Sequence, residues 1–393
     1  MQNQNWRFLN QIVAVTIVTL LVVTYTTLAV AQRVDGEERN AIFAAAPKEP
    51  TSVKGVSTFA VAPKGFSPLT ATSRELLSYG LPQRPDKTTN PTAYQHWERG
   101  MLALKTRVTD VEAKPFESRN AMPTGKPEAA NVDGTTSVSF SNWSGIAQTN
   151  KLKSWNNNTS FDEVVSVWNV PVAEPPFGST PCSDGPWYEV TWNGIDGYSN
   201  GDVVQGGSFD YWDKGGCKGS IVYFGWVEWY PSYSVLELFC PGPKLTGKTP
   251  CPVGPGDDFY VVTYGAPGFS NQNVFVEDIT QQWGGMLTLA YLSGPGLVGN
   301  SAEYIVERPG ISGGLAPLAN YIFEFFDFSF AYDGAGTLFY PGNAGAGTSI
   351  ITMVADDGST PISYPTYGTA GNQGKYSIWI QDENCAFSGG CPK

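Results

Sequence analysis

Few side chains in this sequence can move a proton. The only histidine, His96, lies in the N-terminal part of the 393 residues. Nothing beyond residue 130 can therefore build a Ser-His-Asp or Cys-His site, or a His-ligated zinc. Proton transfer there falls to carboxyls, Tyr, Lys or water. In the stretch SAEYIVERPG, Glu303, Ile305 and Glu307 alternate with Tyr304 and Val306, so two acids share one face of an apolar strand. Such acids must be hydrogen-bonded or face a ligand. Pro309 stops the strand just after Glu307, which puts Glu307 at a rim that water can reach. A third acid, Glu228, stands between Trp226 and Tyr230 on one face of a run of alternating aromatics. A carboxylate between two large rings suits neither a core nor a solvated surface and points to a groove. By the same count Trp192, Gly194 and Asp196 share a face. Gln205 follows a Gly-Asp turn and precedes Gly206-Gly207, where backbone can approach a ligand closely.

These residues need strands to hold them, and the chain supplies strands in quantity. Candidate strands are Ser137–Gln148, Val164–Val170, Tyr188–Ile195, Ile221–Tyr230, Phe259–Tyr264, Val274–Ile279, Met286–Tyr291, Glu303–Val306, Tyr321–Phe330, Ser349–Val354 and Tyr376–Gln381, separated by Gly-, Pro- and Asp-rich turns. The absence of βαβ spacing predicts an all-β fold, a large antiparallel β-sandwich of two sheets. Residues 32–130 are different in kind. They are polar and Pro-rich, with two predicted helices, Ser73 to Tyr79 and about Thr92 to Val108, the second carrying Trp97, Met101, Leu104 and Val108 on one face and His96 on its surface. The stretch Ala113 to Val132 reads as a linker. Ahead of it, an apolar run from Ile12 to Ala31 ends in an A-x-A pattern, so residues 1–31 read as a secretory signal. The domain plan is thus signal 1–31, a partly helical prosegment and linker 32–130, and a β-sandwich domain 131–393.

Charge follows the same boundary. The chain carries a net charge of −12, divided as +4 over residues 1–130 and −16 over the remainder. An acidic domain of this kind is a poor partner for nucleic acid. All six cysteines lie after residue 180, in turn-rich regions, which suits disulfides in an oxidising compartment and an extracellular, secreted protein. Short loops favour Cys240–Cys251 and Cys385–Cys391, leaving Cys182–Cys217. The charge asymmetry predicts that the basic segment covers the acidic cleft of its own domain and inhibits it. Beyond the signal, no contact with a membrane is expected, and the protein is expected to be a monomer.

Six motifs in order, Asn142-Trp143-Ser144-Gly145, Trp168-x-Val170-Pro171, Trp192-x-Gly194-Ile195-Asp196-Gly197, Gln205-x-Gly207, Trp226-x-Glu228-Trp229-Tyr230-Pro231 and Ala302-Glu303-x-Ile305-x-Glu307, resemble the glutamic peptidases, or eqolisins. The stretch Tyr79-Gly80-Leu81-Pro82-x-Arg84-Pro85 is similar to the prosegments of bacterial-type members. The resemblance implies a concanavalin A-like, jelly-roll sandwich. It also implies secreted acid endopeptidase activity on protein or peptide substrates, with no cofactor and no metal. Carried over by motif, a Gln–Glu dyad falls on Gln205 and Glu307. Trp192, Asp196, Asp210, Trp226, Glu228, Tyr230 and Glu303 fall at positions lining the cleft or supporting the dyad. The chemistry is coherent on its own terms. One Glu can take a proton from water and return one to the leaving nitrogen. A Gln N–H stabilises the oxyanion by roughly 3–4 kcal/mol and cannot titrate in acid. The residues leave two other readings open: a retaining glycosidase using Glu228 and Glu307, and a non-catalytic carbohydrate-binding module with an aromatic platform.

Overall fold

The computed structural model describes residues 33–104, 111–116, 125–130, 135–149, 160–176, 185–213, 220–241, 248–311, 314–342, 347–367 and 377–382. The N-terminal part holds helices α1 (Gly36–Ala45), α2 (Ser73–Ser78) and α3 (Pro91–Leu104), with strands β1 (Lys48–Pro50) and β2 (Val56–Phe59). Then come β3 (Glu112–Pro115), β4 (Gly125–Ala130), β5 (Thr136–Phe140), β6 (Trp143–Thr149), β7 (Phe161–Asn169), β8 (Tyr188–Ile195), β9 (Val203–Asp213), β10 (Ser220–Tyr230), β11 (Leu236–Pro241) and β12 (Lys248–Pro250). The rest of the chain adds β13 (Asp258–Tyr264), β14 (Asn271–Asp278), β15 (Trp283–Ala290), β16 (Ser301–Glu307), the short pair β17 (Gly310–Ile311) and β18 (Gly314–Leu315), β19 (Phe323–Asp333), β20 (Leu338–Phe339), β21 (Thr348–Val354), β22 (Pro361–Tyr367) and β23 (Ile378–Asp382).

The expected antiparallel sandwich is what forms. A front sheet runs β3–β11–β10–β9–β8–β16–β6–β21–β5–β4, and a back sheet runs β22–β23–β19–β7–β13–β14–β15–β2–β1. β22 also meets the end of β21 and so joins the two sheets. The single parallel pairing among them is β5 with β21. This exposes one error of reading. Ser137–Gln148 is two strands, broken at Ser141-Asn142, and β5 and β6 lie on opposite sides of β21. The linker assignment for Ala113 to Val132 also needs correction, since that stretch contains β3 and β4.

Apolar packing lies in three layers, because both faces of each sheet are covered. Between the sheets, Val204, Val227, Val261, Val276, Trp168 and Tyr304 form the central core. Period two sends the alternate residues outward, to the cleft side of the front sheet (Val203, Phe209, Trp192, Ile305) and to the outer side of the back sheet (Tyr260, Val262, Tyr264, Phe275). The outer back face is covered by residues 33–104. Trp97, Met101 and Leu104 of α3 and Phe43 of α1 pack there, and β2 extends the back sheet by pairing with β15. Thr72 and Glu75 form a reciprocal cap that starts α2. α3 is described to Leu104, short of the predicted Val108.

Of the basic segment 32–130 expected over the acidic cleft, residues 33–104 lie elsewhere. Residues 33–104 sit on the far side of the molecule, because the acids they meet are on β7. Fully buried Arg39 pairs with Asp162 Oδ2 at 2.8 Å and Glu163 Oε2 at 3.2 Å, while Arg33 reaches Glu163 at 2.6 Å. Gln83 donates a further bond to Glu163. Burial alone would raise the Glu163 carboxyl, but the two guanidiniums hold it below its usual value. His96 is half-buried, with its ring stacked on Phe328, and is not a surface residue.

Cys240 and Cys251 form the expected disulfide, with Cα atoms 4.8 Å apart. Cys182, Cys217, Cys385, Cys391 and the apolar run before Ala31 lie outside the described residues. Removing the Arg39 side chain leaves buried Asp162 without its 2.8 Å ion pair and Glu163 with Arg33 alone, so Arg39→Ala should cost about 3–5 kcal/mol. Chemical denaturation at fixed pH measures this.

Candidate active site

The residues singled out from sequence gather on the cleft face of the front sheet, and register decides which of them meet. Glu303 on β16 stands opposite Gly194 on β8, and Gly194 stands opposite Gln205 on β9. Gln205 in turn faces Glu228 on β10. Four strands thus place Glu303, Gly194, Gln205 and Glu228 in one cross-strand row, on the same face. Glu303 and Gln205 are two strand spacings apart, about 10 Å between Cα atoms, on either side of the glycine. A Cβ on Gly194 would lie 3.1 Å from Gln205 Cβ and 2.9 Å from the Trp192 ring, so any larger residue would fill the space between them. All three polar side chains are fully buried.

Each group in the row is poised differently. Gln205 Nε2 donates to Glu228 Oε2 at 2.8 Å. A carboxylate only accepts, so Glu228 fixes the amide with its nitrogen toward β10 and leaves the second N–H free to donate elsewhere. Gln205 Oε1 has no partner among the described residues. Burial pushes the Glu303 carboxyl well above its ordinary pKa. The Ser301 hydroxyl and the Tyr198 N–H offset this in part, and the nearby Asp196 charge adds to it. Tyr198, half-buried on the loop after β8, packs with Phe140 at 5.7 Å to roof this face.

Glu307 is not in that row. It lies opposite Val190, four residues further along β16 than Glu303, which adds roughly 13 Å along the strand. It is fully buried, not at a wet rim, and Trp192 Nε1 donates to its Oε2 at 2.9 Å. The Trp192 ring is also held edge-on by Trp143 at 4.9 Å. Glu307 therefore reaches the row through an indole. Arg308 turns away from it, bonding Ala316 O and Asp356. The same register separates Glu228 from Glu307 by three strands and four residues, a Cα separation near 19 Å, far beyond the ~5–5.5 Å carboxyl spacing of a retaining glycosidase.

Trp226 and Tyr230 share the face with Glu228, as expected. Asp196, at φ 70°, closes the end of β8. Its carboxyl accepts N–H bonds from Val298, Gly299 and Asn300, and burial nevertheless pushes it up to about 6. Gly206 and Gly207 serve strand packing instead of a ligand, since a Cβ on Gly207 would strike Thr191 O at 1.9 Å. Asp210 is not a cleft residue. Five positions from Gln205 on the same strand, it points into the sandwich interior, opposite Glu189. There Asp210, Glu189 and, from the back sheet, Glu324 form a buried carboxyl cluster. Burial raises the pKa of each, and that of Asp210 is raised further by the Glu189 charge. Among the described residues no group of His, Cys, Asp or Glu is arranged to hold a metal ion. Neither Glu189 nor Glu324 was picked out from sequence. Each looks like an ordinary strand acid until the second sheet is laid over the first.

The profile of the peptidase A4 family matches residues 141–364, more than half of the chain. The chain belongs to the peptidase A4 family. It is a glutamic-type peptidase, a hydrolase with the eqolisin β-sandwich. Among solved structures it is similar to scytalido-glutamic peptidase with a peptide-based transition-state analogue, at 18% identity and TM-score 0.44, covering 62% of this chain and 98% of that one. It is also similar to the eqolisin SCP-B in complex with the tripeptide Ala-Ile-His, at 17% identity and TM-score 0.43, with 62% and 98% covered. Aspergilloglutamic peptidase from Aspergillus niger gives 19% identity and TM-score 0.39, with 50% and 99% covered. A comparison with curated proteins finds no match.

For this A4 peptidase the buried acids set a pH dependence. A carboxyl whose folded pKa lies above its unfolded value of ~4 favours the folded state when protonated. The full stability is therefore present below pH ~4 and falls as pH rises through the folded values. These include about 6 for Asp196 and about 8 for Asp278, which burial raises most. Denaturant midpoints should drop steadily from pH 4 to pH 8. Asp210→Asn, neutral throughout, should flatten that slope. An unchanged slope would remove the carboxyl cluster as its source.

Proposed function

We propose that this peptidase is a secreted acid endopeptidase in which Gln205 and Glu303 form the reacting pair, with Glu307 and Glu228 as positioning residues. The shared row across Gly194 carries the reading, since it places one amide and one carboxyl on either side of a single side-chain-free position. Glu303 takes the proton of a water attacking the scissile carbonyl and returns one to the leaving nitrogen. Gln205, oriented by Glu228, donates its remaining N–H to the oxygen that gains charge. The raised pKa of Glu303 suits a group that must both accept and give a proton in acid. Glu307 acts through Trp192, whose ring lies against the space between the pair. The Cys240–Cys251 disulfide supports work outside the cytoplasm, and residues 1–31 are read as the secretory signal. In this reading the protein is made as a precursor, acts on proteins or peptides, and needs no cofactor.

Digestion of a denatured protein at pH 2–6, with pepstatin present, tests the assignment. Glu303→Gln and Gln205→Ala should each lose a hundredfold or more in kcat/KM. Glu307→Gln should lose about tenfold and retain the wild-type pH profile, because it weakens the charge-assisted hydrogen bond from the indole and removes no reacting proton. Wild-type rates in Glu303→Gln alongside a dead Glu307→Gln would return the reacting carboxyl to Glu307.

A further inference from the structure

The cleft face continues past the reacting row into a platform of rings. Phe209 on β9 and Phe224 on β10 face each other in register and stack at 4.7 Å and 14°. Tyr211, two residues on, stacks with Tyr188 at 5.4 Å and 17°. Phe209 lies four residues beyond Gln205 on the same strand and the same face, roughly 13 Å along it, which is the reach of four residues of extended peptide.

That platform already holds an aromatic side chain delivered by an extended strand. β3 pairs antiparallel with β11, from Glu112 opposite Phe239 to Pro115 opposite Leu236. Pro115 has no N–H, and the next residue, Phe116, donates its own to Val235 O at 2.8 Å. The Phe116 ring then lies 4.9 Å from Phe224, 5.4 Å from Phe209 and 5.8 Å from Tyr211. Backbone pairing at a sheet edge with one side chain set into a pocket is how extended peptides are recognised by sheets. Phe116 is itself half-buried, at the end of its strand.

We infer that Phe209, Phe224 and Tyr211 form a side-chain subsite of the peptide-binding cleft, one that takes an aromatic residue about four positions from the scissile bond, and that Phe116 fills it in this state. The inference rests on the proposed peptidase site on the same sheet face. With Phe116 in place the subsite is closed to substrate, and the enzyme gains little from an aromatic residue at that position. Once Phe116 is trimmed, the stacked rings are open to a substrate ring.

Binding separates this subsite from the chemistry. In the full chain carrying Glu303→Gln, affinities are measured for decapeptides of alanine, serine and glycine bearing one phenylalanine, moved one position at a time, against the phenylalanine-free parent. Adding Phe116→Ala should raise the preference for phenylalanine about tenfold at one position and leave the others unchanged, a gain of the size expected from burying one ring against others. Phe116→Leu, which keeps the site filled, should not. Tyr211→Ala on the half-exposed rim, added to Phe116→Ala, should lower the gain. An equal preference with and without Phe116→Ala at every position, in protein whose melting curve shows it folded, overturns the subsite. Turnover by the chain with Glu303 intact judges the peptidase reading separately: a subsite that binds in a chain that never cleaves would retain the former and discard the latter.

Discussion

Gly194 lacks a side chain, and the geometry of the site depends on that. Two polar residues on strands separated by a third are normally kept apart by the side chain between them. Here the middle strand contributes only backbone, so Glu303 and Gln205 flank a position that has no side chain of its own. The row also fixes the orientation of each group. Glu228 holds the amide from one side, and Trp192, anchored by Glu307 and braced by Trp143, stands beside the gap. A carboxyl placed there is stripped of water on every side, and its raised pKa follows from that placement.

The same economy of solvation runs through the interior. Asp210, Glu189 and Glu324 between the sheets, and Glu277 beneath α3, are buried acids whose pKa values burial raises. A domain built this way holds its protons in acid and must ionise or open when they are removed. The N-terminal segment takes the opposite approach, neutralising Asp162 and Glu163 with two arginines. Its helices pack on the outer back face and its strand β2 extends the back sheet, so its bond to the domain and the chemistry of the cleft are carried by different sheets. What reaches the cleft side is the later stretch, through β3 and Phe116.

Much of the site was legible in the sequence because parity along a strand is fixed by covalent geometry. Trp226, Glu228 and Tyr230 share a face, as do Trp192, Gly194 and Asp196, and the absence of histidine beyond residue 96 left proton transfer to carboxyls, Tyr, Lys or water. Asp210 was misplaced although the signal was present: five residues from Gln205 means the opposite face. Glu303 and Glu307, by contrast, have the same parity, so alternation within their strand does not tell them apart. That choice depends on register, which is set by hydrogen bonds to β8 and β6, strands more than a hundred residues earlier in the chain. The strands, the acids and the faces were local properties. Which acid stood in register with Gln205, which acids were buried together, and which face residues 33–104 covered were decided by packing between distant segments, whose energies no single stretch contains.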